Sequence, residues 1–205
     1  MSANESRRRR RDGEQSRSAI LGEAARLATV EGLGGLSLAR LADTVGMSKS
    51  GVFELFGSKE GLQLATVDSA TSVFEEHVLE PAANANGLAR VHALVEAFFR
   101  YVETDVFPGG CFFASALTEL SMQPGPVRDR LVAFLERWLG ELAAAVREAQ
   151  AEGAIDPAED PDQLAFEIEA ALFFANAGFV VARTPEAIER ARRTIERRLG
   201  AATAA

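Results

Sequence analysis

The stretch LADTVGMSKSGVFELFGSKEGL, residues Leu41 to Leu62, decides how the chain is read. Its glycines at 46, 51, 57 and 61 are too frequent for one helix, yet its apolar residues recur too regularly for a loop. Serines resolve the conflict. Ser37, just upstream, is placed to cap a short helix that ends at Gly46, with Leu36 before the cap and Leu41 inside it forming a hydrophobic staple. Ser48 repeats the device with Met47 and Val52, and the Phe56-Gly57-Ser58 break lets Ser58 cap the helix that follows. Two short capped helices across one glycine turn describe a helix-turn-helix, in which Ala42 lets the second helix pass close and Leu41, Val45, Met47, Val52 and Leu55 supply the small core.

Working outward, apolar residues recur at three- and four-residue steps almost throughout and no alternation of period two is sustained, so the expected fold class is all-α. A first helix is expected over residues 16–31, with Ile20, Ala24, Leu27 and Ala28 on one face and Gly32 as its stop. Residues 1–13 are charged and poor in apolar side chains and read as a disordered basic arm, leaving 14–60 as the three-helix domain. Beyond it, helices are expected near 59–79, 88–104, 110–121, 126–152, 162–183 and 186–199, separated by segments rich in Pro, Gly and Asn. Residues 61–200 thus form a second, helical domain, and 201–205 a disordered tail.

The net charge of −8 divides unevenly: residues 1–60 carry ten Lys/Arg against eight Asp/Glu, and the remainder twelve against twenty-two. The basic excess sits at the helix-turn-helix end, as expected when a nucleic-acid-facing part is joined to something else. A single cysteine, Cys111, excludes an internal disulfide and a Cys-rich metal site, and its surroundings read as those of a small buried hydrophobe. His77, between Glu76 and Glu80, reads as part of an exposed polar face rather than a metal site. Two histidines, one cysteine and no phosphate-cradling glycine loop leave little from which to build a catalytic constellation, so no enzyme activity and no cofactor are expected. The apolar run Ala170–Ala182 is interrupted by Asn176 and shorter than the roughly 20 residues of a bilayer span. It reads as a buried helix segment, and without a signal-type apolar region after the arginines the expected location is the cytoplasm, with no membrane partner.

In a DNA-binding helix-turn-helix the second helix enters the major groove and its first residues reach base edges. Here those residues are Ser48, Lys49, Ser50 and Gly51. Lys49 suits guanine O6 and N7 or a phosphate, Ser50 suits several base edges, and Gly51 permits close backbone approach. Ser37, Ser58 and Lys59 stand at helix starts, where free N–H groups favour phosphate. Glu54 either faces away from DNA or accepts from a cytosine amine. Residues 17–67 resemble the N-terminal domain of the TetR family of transcriptional regulators. Ile20, Ala24, Gly32, Ser37, Leu41-Ala42, Gly46, Ser48-Lys49-Ser50-Gly51, Phe56 and Ser58-Lys59-Glu60 carry that resemblance. It implies a dimeric repressor that binds a palindromic operator in double-stranded DNA and is released by a small ligand; an activator or an architectural dimer without a ligand is the alternative. Arg17 and Phe53 join the expected DNA-binding residues. Phe53 and Leu55 stand where the family usually has tyrosine and often histidine, so two phosphate donors are missing. The run Arg7–Arg11 offers backbone or minor-groove contacts in compensation, or is a solvated tail.

The second half concentrates the aromatic residues, and a pocket for an apolar ligand of unknown identity is expected among Phe99, Phe112, Phe113, Ser115, Glu119, Trp138, Phe173, Phe174 and Asn176. A filled core around Phe112 and Trp138 favours the ligand-free alternative; a cavity there favours a sensor. The helix over 162–183 is apolar on more than one face, and the last helix is apolar along one. A homodimer interface is therefore expected at Ile168, Leu172, Ala175, Phe179, Ile188, Ala191, Ile195 and Leu199, matching the family's pairing of its final two helices. The arginines of the last helix are expected in water or against acidic helices.

Overall fold

The computed structural model describes residues 3–120 and 124–203, those from 3 to 16 by their backbone alone. Among the described residues there are nine α-helices and no strands, as expected for an all-α chain. The first, α1 (Ala3–Glu31), begins well before residue 16. The arm expected to be disordered is helical from Ala3 onward, since Arg, Glu and Gln are good helix formers and no proline interrupts them. Two short helices follow, α2 (Leu38–Val45) and α3 (Lys49–Phe56), and then α4 (Lys59–Phe74).

Each of these three helices starts with its serine. Ser37 Oγ accepts from the Arg40 amide, Ser48 from Gly51 and Ser58 from Gly61. Gly46 ends α2 in the left-handed conformation, at φ 67°, which glycine adopts without strain. Leu41, Ala42, Val52 and Phe56 are buried in one core with Ile20, Leu21 and Ala24 of α1. Met47 and Leu55, expected in this small core, are exposed.

The boundary expected at residue 60 falls inside the first turn of α4, so no linker separates the halves. From the three-helix module α4 runs into the second half, passing through a π turn (Glu75–Leu79) and a 3-10 turn (Glu80–Ala82). Its Phe74 meets the rings of Phe98, Tyr101, Phe113, Phe134 and Trp138, mostly edge to face. Around this centre stand α5 (Gly87–Glu103), α6 (Phe112–Leu120), α7 (Pro126–Ala151), α8 (Pro161–Ala182) and α9 (Glu186–Ala202). Arginines tie the helices together across the surface. Arg90 of α5 reaches Glu141 and Glu148 of α7, Arg192 of α9 reaches Glu96 of α5, and Arg198 of α9 reaches Glu159 and Glu167.

The tail expected to be disordered is also drawn in. Ala202 is buried, its carbonyl accepts from the Asp156 amide, and Thr203 bridges Ile155; residues 204 and 205 lie outside the described residues. Among the described residues α8 alone would, by length and apolarity, pass for a bilayer-crossing helix. Only its inner face is buried here, against α5, α7 and α9, which corrects the reading of its apolar run as wholly interior.

Candidate DNA-binding and effector surfaces

At the start of α3 the Ser48 cap aligns one exposed face. Lys49, Ser50, Phe53 and Glu54 are all exposed, Phe53 at 54%, while Val52 and Phe56 point inward. Ser48 Oγ also lies 3.2 Å from Ser50 Oγ. Gly51 is held by the cap, and a Cβ there would stand 3.2 Å from Ser48 Oγ. Ser48, Lys49, Ser50, Gly51 and Phe53 are thus gathered on one short helix. Glu54 is exposed beside them, so it does not turn away into the core.

The remaining expected DNA contacts are spread out. Ser37 and Ser58 sit at the first turns of α2 and α4, and Lys59 directs its ammonium to the Gly34 carbonyl. Arg17 lies elsewhere: its guanidinium covers the Phe56 ring at 5.4 Å and borders a groove between α1 and α4 that also contains Asp68. The side chains of Arg7–Arg11 lie outside the described residues.

The aromatic residues expected to line a pocket mostly fill the core. Phe99 and Phe112 are fully buried, and Phe113 stacks on Phe134. Asn176, expected to meet a ligand, is committed elsewhere: its Oδ1 accepts from the Cys111 amide at 2.7 Å and fixes the turn before α6 to α8. Cys111 is buried there, and burial pushes its thiol up to about 12, as fits a small hydrophobe rather than a sensor. Ser115 is half-buried on α6.

Glu119 is likewise not in a pocket. Its two carboxylate oxygens accept from the backbone amides of Leu33 and Gly34, at 2.7 and 2.8 Å, in the loop between α1 and α2. The carboxylate of α6 therefore grips the three-helix module directly. Gln63 and Lys59 of α4 hold the carbonyls of the same loop.

A groove of about 460 Å³ does exist, one helix face away from the aromatic core. It lies between α6, α7 and α8 and is lined by Leu117, Thr118, Leu135, Leu139, Phe166, Glu169, Ala170, Phe173 and Phe174. Phe173 and Phe174 were expected there; Glu169 was not. Glu169 Oε2 accepts from the indole Nε1 of Trp138 at 2.7 Å. Burial pushes its carboxyl up to about 7, with the indole hydrogen bond acting in the opposite direction. Trp138 thus meets the groove through Glu169. The sequence signal was partial: Glu169 is one of two acids, with Glu167, in the largely apolar run FEIEAALFF.

The eight residues expected at a dimer interface need correction. Ile168, Leu172, Ala175, Ile188, Ala191, Ile195 and Leu199 are buried within the single chain and Phe179 is partly so, because they pack α8 and α9 on each other and on the core. The outward stripe of α8 is instead Phe166, Ala170, Phe173, Phe174, Ala177 and Val181, with Phe174 76% and Val181 86% exposed. On the far side of Phe174 a second apolar groove, of about 470 Å³, separates α8 from α9 and is floored by Gly178, Ala187 and Ala191. Among the described residues no group of three or more His, Cys, Asp or Glu is gathered as for a metal.

Known proteins bear on both regions. Residues 20–66 match the family model for bacterial regulatory proteins of the tetR family, and residues 87–195 match the tetracyclin repressor-like C-terminal domain, which covers more than half of the chain. The chain is 27% identical over 141 residues to the transcriptional regulator AcuR of Cereibacter sphaeroides, a match spanning 67% of this chain and 64% of that protein. Among solved structures, a TetR transcriptional regulator from Chloroflexus aurantiacus superposes with a TM-score of 0.83 and 27% identity, over 90% of this chain and 94% of that one. AibR in complex with isovaleryl coenzyme A and operator DNA superposes with a TM-score of 0.70 and 24% identity, over 91% and 97%.

Proposed function

The chain belongs to the TetR family of bacterial transcriptional regulators, and from that premise we propose that it is a cytoplasmic, dimeric, ligand-responsive repressor. It reads a palindromic operator with α3 and releases it when a small, largely apolar ligand enters the groove between α6, α7 and α8. The observation that carries the DNA reading is the single exposed face formed by Ser48, Lys49, Ser50 and Phe53 behind a serine cap. Lys49 and Ser50 supply donors for base edges or phosphate, and Phe53 supplies an apolar surface for a sugar or a thymine methyl.

Two copies are joined through the C-terminal part of the outward stripe of α8, from Phe174 to Val181, and the groove beside it. Phe174 and Val181 act as the ridge, and the Gly178–Ala187 floor accepts the partner's ridge. Burying that much apolar surface is the reason for association. A twofold pair sets two α3 helices about 34–36 Å apart, or a multiple of that, on DNA.

Coupling runs through α6. Leu117 and Thr118 border the groove, and the next residue, Glu119, holds the loop that precedes the reader helices. A ligand that displaces α6 therefore shifts that loop. Coupling energies of this kind are typically about 1–3 kcal/mol. The same fold in AibR accommodates both a ligand and operator DNA. A second reading, an activator or architectural dimer without a ligand, is favoured by the filled aromatic core around Phe112 and Trp138.

The test is selection of the full chain on a random DNA library at two salt concentrations. Recovery of a palindrome supports the dimeric reader. Retention of no specific sequence at either salt overturns it. Deleting residues 1–11 is expected to weaken binding to all sequences and flatten the salt dependence if the arginines touch phosphate; an unchanged slope removes them from the interface.

A further inference from the structure

The outward face of α3 is centred on an acid. Val52 and Phe56 point into the core of the reader module. At about 100° per residue the direction opposite to both falls on Glu54, which is exposed, with Ser50 one turn before it. Lys49 and Phe53 lie to one side of that line. A carboxylate at the middle of a surface that meets a polyanion is repelled by every phosphate it approaches. Nothing in the module relieves that charge. Glu54 makes no hydrogen bond or ion pair among the described residues, and the Ser50 hydroxyl lies 3.2 Å from Ser48 Oγ, at the cap. The partner of this carboxylate has to come from the DNA.

We propose that Glu54 selects a base, accepting a hydrogen bond from the N4 amine of a cytosine in the major groove. The inference rests on the reading of α3 as the DNA reader and adds the base that its central side chain chooses. That choice follows from what each base edge presents. A carboxylate offers acceptors only. Guanine shows O6 and N7 and thymine O4, so both repel it. Adenine sets the acceptor N7 beside its N6 donor, whereas cytosine presents its N4 donor with no acceptor next to it. Lys49 has the opposite need and suits guanine. The two side chains stand five residues apart on one helix, roughly 7.5 Å along its axis. For a helix lying along the groove this is about two base steps of roughly 3.4 Å. Each half-site is therefore expected to hold a cytosine about two steps from the base that Lys49 reads.

The test uses the full chain and the operator recovered by selection, with the wild type, Glu54→Ala and Glu54→Gln side by side. The position is exposed, so circular dichroism is expected to stay at its wild-type form. Glu54→Ala is expected to lose a preference of about 5- to 150-fold at one C·G pair per half-site and to keep the preferences elsewhere. It is also expected to bind unrelated DNA more tightly, since a repulsion is removed. Glu54→Gln is expected to move the preference at that pair from cytosine to adenine, whose N6 and N7 a side-chain amide meets together. The hydrogen bond itself is probed on the unaltered protein by placing N4-methylcytosine in one half-site. Its methyl group takes the place of the amine hydrogen exposed in the groove while pairing with guanine is kept. Wild-type affinity is expected to fall at least about fivefold and that of Glu54→Ala less than about twofold. Full wild-type affinity for the N4-methylcytosine operator overturns the proposal. So does a uniform gain of affinity in Glu54→Ala with every base preference unchanged, which leaves Glu54 as a solvated charge. Retention of no specific sequence overturns this inference together with the DNA reading, whereas a palindrome without a Glu54-dependent pair overturns this inference alone.

Discussion

In the reader module the hydrogen bonds that shape the helices span three residues, Ser37 to Arg40, Ser48 to Gly51 and Ser58 to Gly61. In the second half α8 also starts on a local cap, Asp160, but the ion pairs that tie the helices together span 51 residues from Arg90 to Glu141 and 96 from Arg192 to Glu96. The reader is assembled from local rules, with each short helix starting and stopping on its own residues. The second half has long helices whose faces acquire meaning only when they meet. A surface that must present fixed side chains to DNA gains from local fixing. A body of long helices is held instead by contacts that many of them share.

Four substitutions sharpen or break this contrast. Phe74→Ala removes the ring at the centre of the aromatic cluster and is expected to destabilise by about 3–5 kcal/mol. Thermal unfolding checks it, and the fall should extend to the reader, because Phe74 lies on the helix that both halves share. Glu169→Gln acts oppositely. The Glu169 carboxyl titrates near its ordinary 4.5 in the unfolded chain and near about 7 in the folded one, so the folded state binds the extra proton between those values. Wild-type stability is therefore expected to carry a penalty above pH 7 that is relieved as pH falls toward 4.5. The variant, free of that penalty, should be more stable at pH 8 by up to about 3 kcal/mol. Melting curves of both proteins from pH 8 to 5 should converge; parallel curves would remove the buried charge from the account.

Ser48→Ala tests the local rule. Loss of one serine cap costs about 1 kcal/mol, and amide exchange should rise in α3 while the aromatic core stays protected. Lys49→Ala is the smallest change to the fold, within about 0.5 kcal/mol by melting. It is nonetheless expected to alter which DNA sequences are retained, since its exposed side chain lies apart from the buried Val52 and Phe56 of α3. A large stability loss from Lys49→Ala would mean that α3 is part of the core and not a reader.

The same difference in reach explains what could be read from the sequence. The serine caps, the Gly46 turn and the exposed start of α3 follow from residues three or four apart, and all were legible. So were the nine helices, whose ends fall close to the Pro, Gly and Asn segments. What failed was orientation. Both faces of α8 are apolar, so periodicity alone does not say which looks outward, and the stripe expected outside, Ile168, Leu172 and Ala175, is the inner one. Glu119 and Asn176 were assigned to a ligand because polar residues among aromatics suggest a pocket. Each instead serves backbone amides 86, 85 and 65 residues away, which no local pattern announces. The charge of the arm points to disorder, whereas its helix-forming residues extend α1.

The close approach at the seam between the halves has a consequence for protein engineering. A side chain on Gly109 would collide with the Thr29 carbonyl, and one on Gly32 or Gly34 would collide with Glu119. The two halves therefore fit as lock parts cut from one blank, and a chimera that grafts a foreign reader onto this body needs more than a matching recognition helix. It must bring a glycine loop that Glu119 can grip, or the seam that joins the two halves is lost.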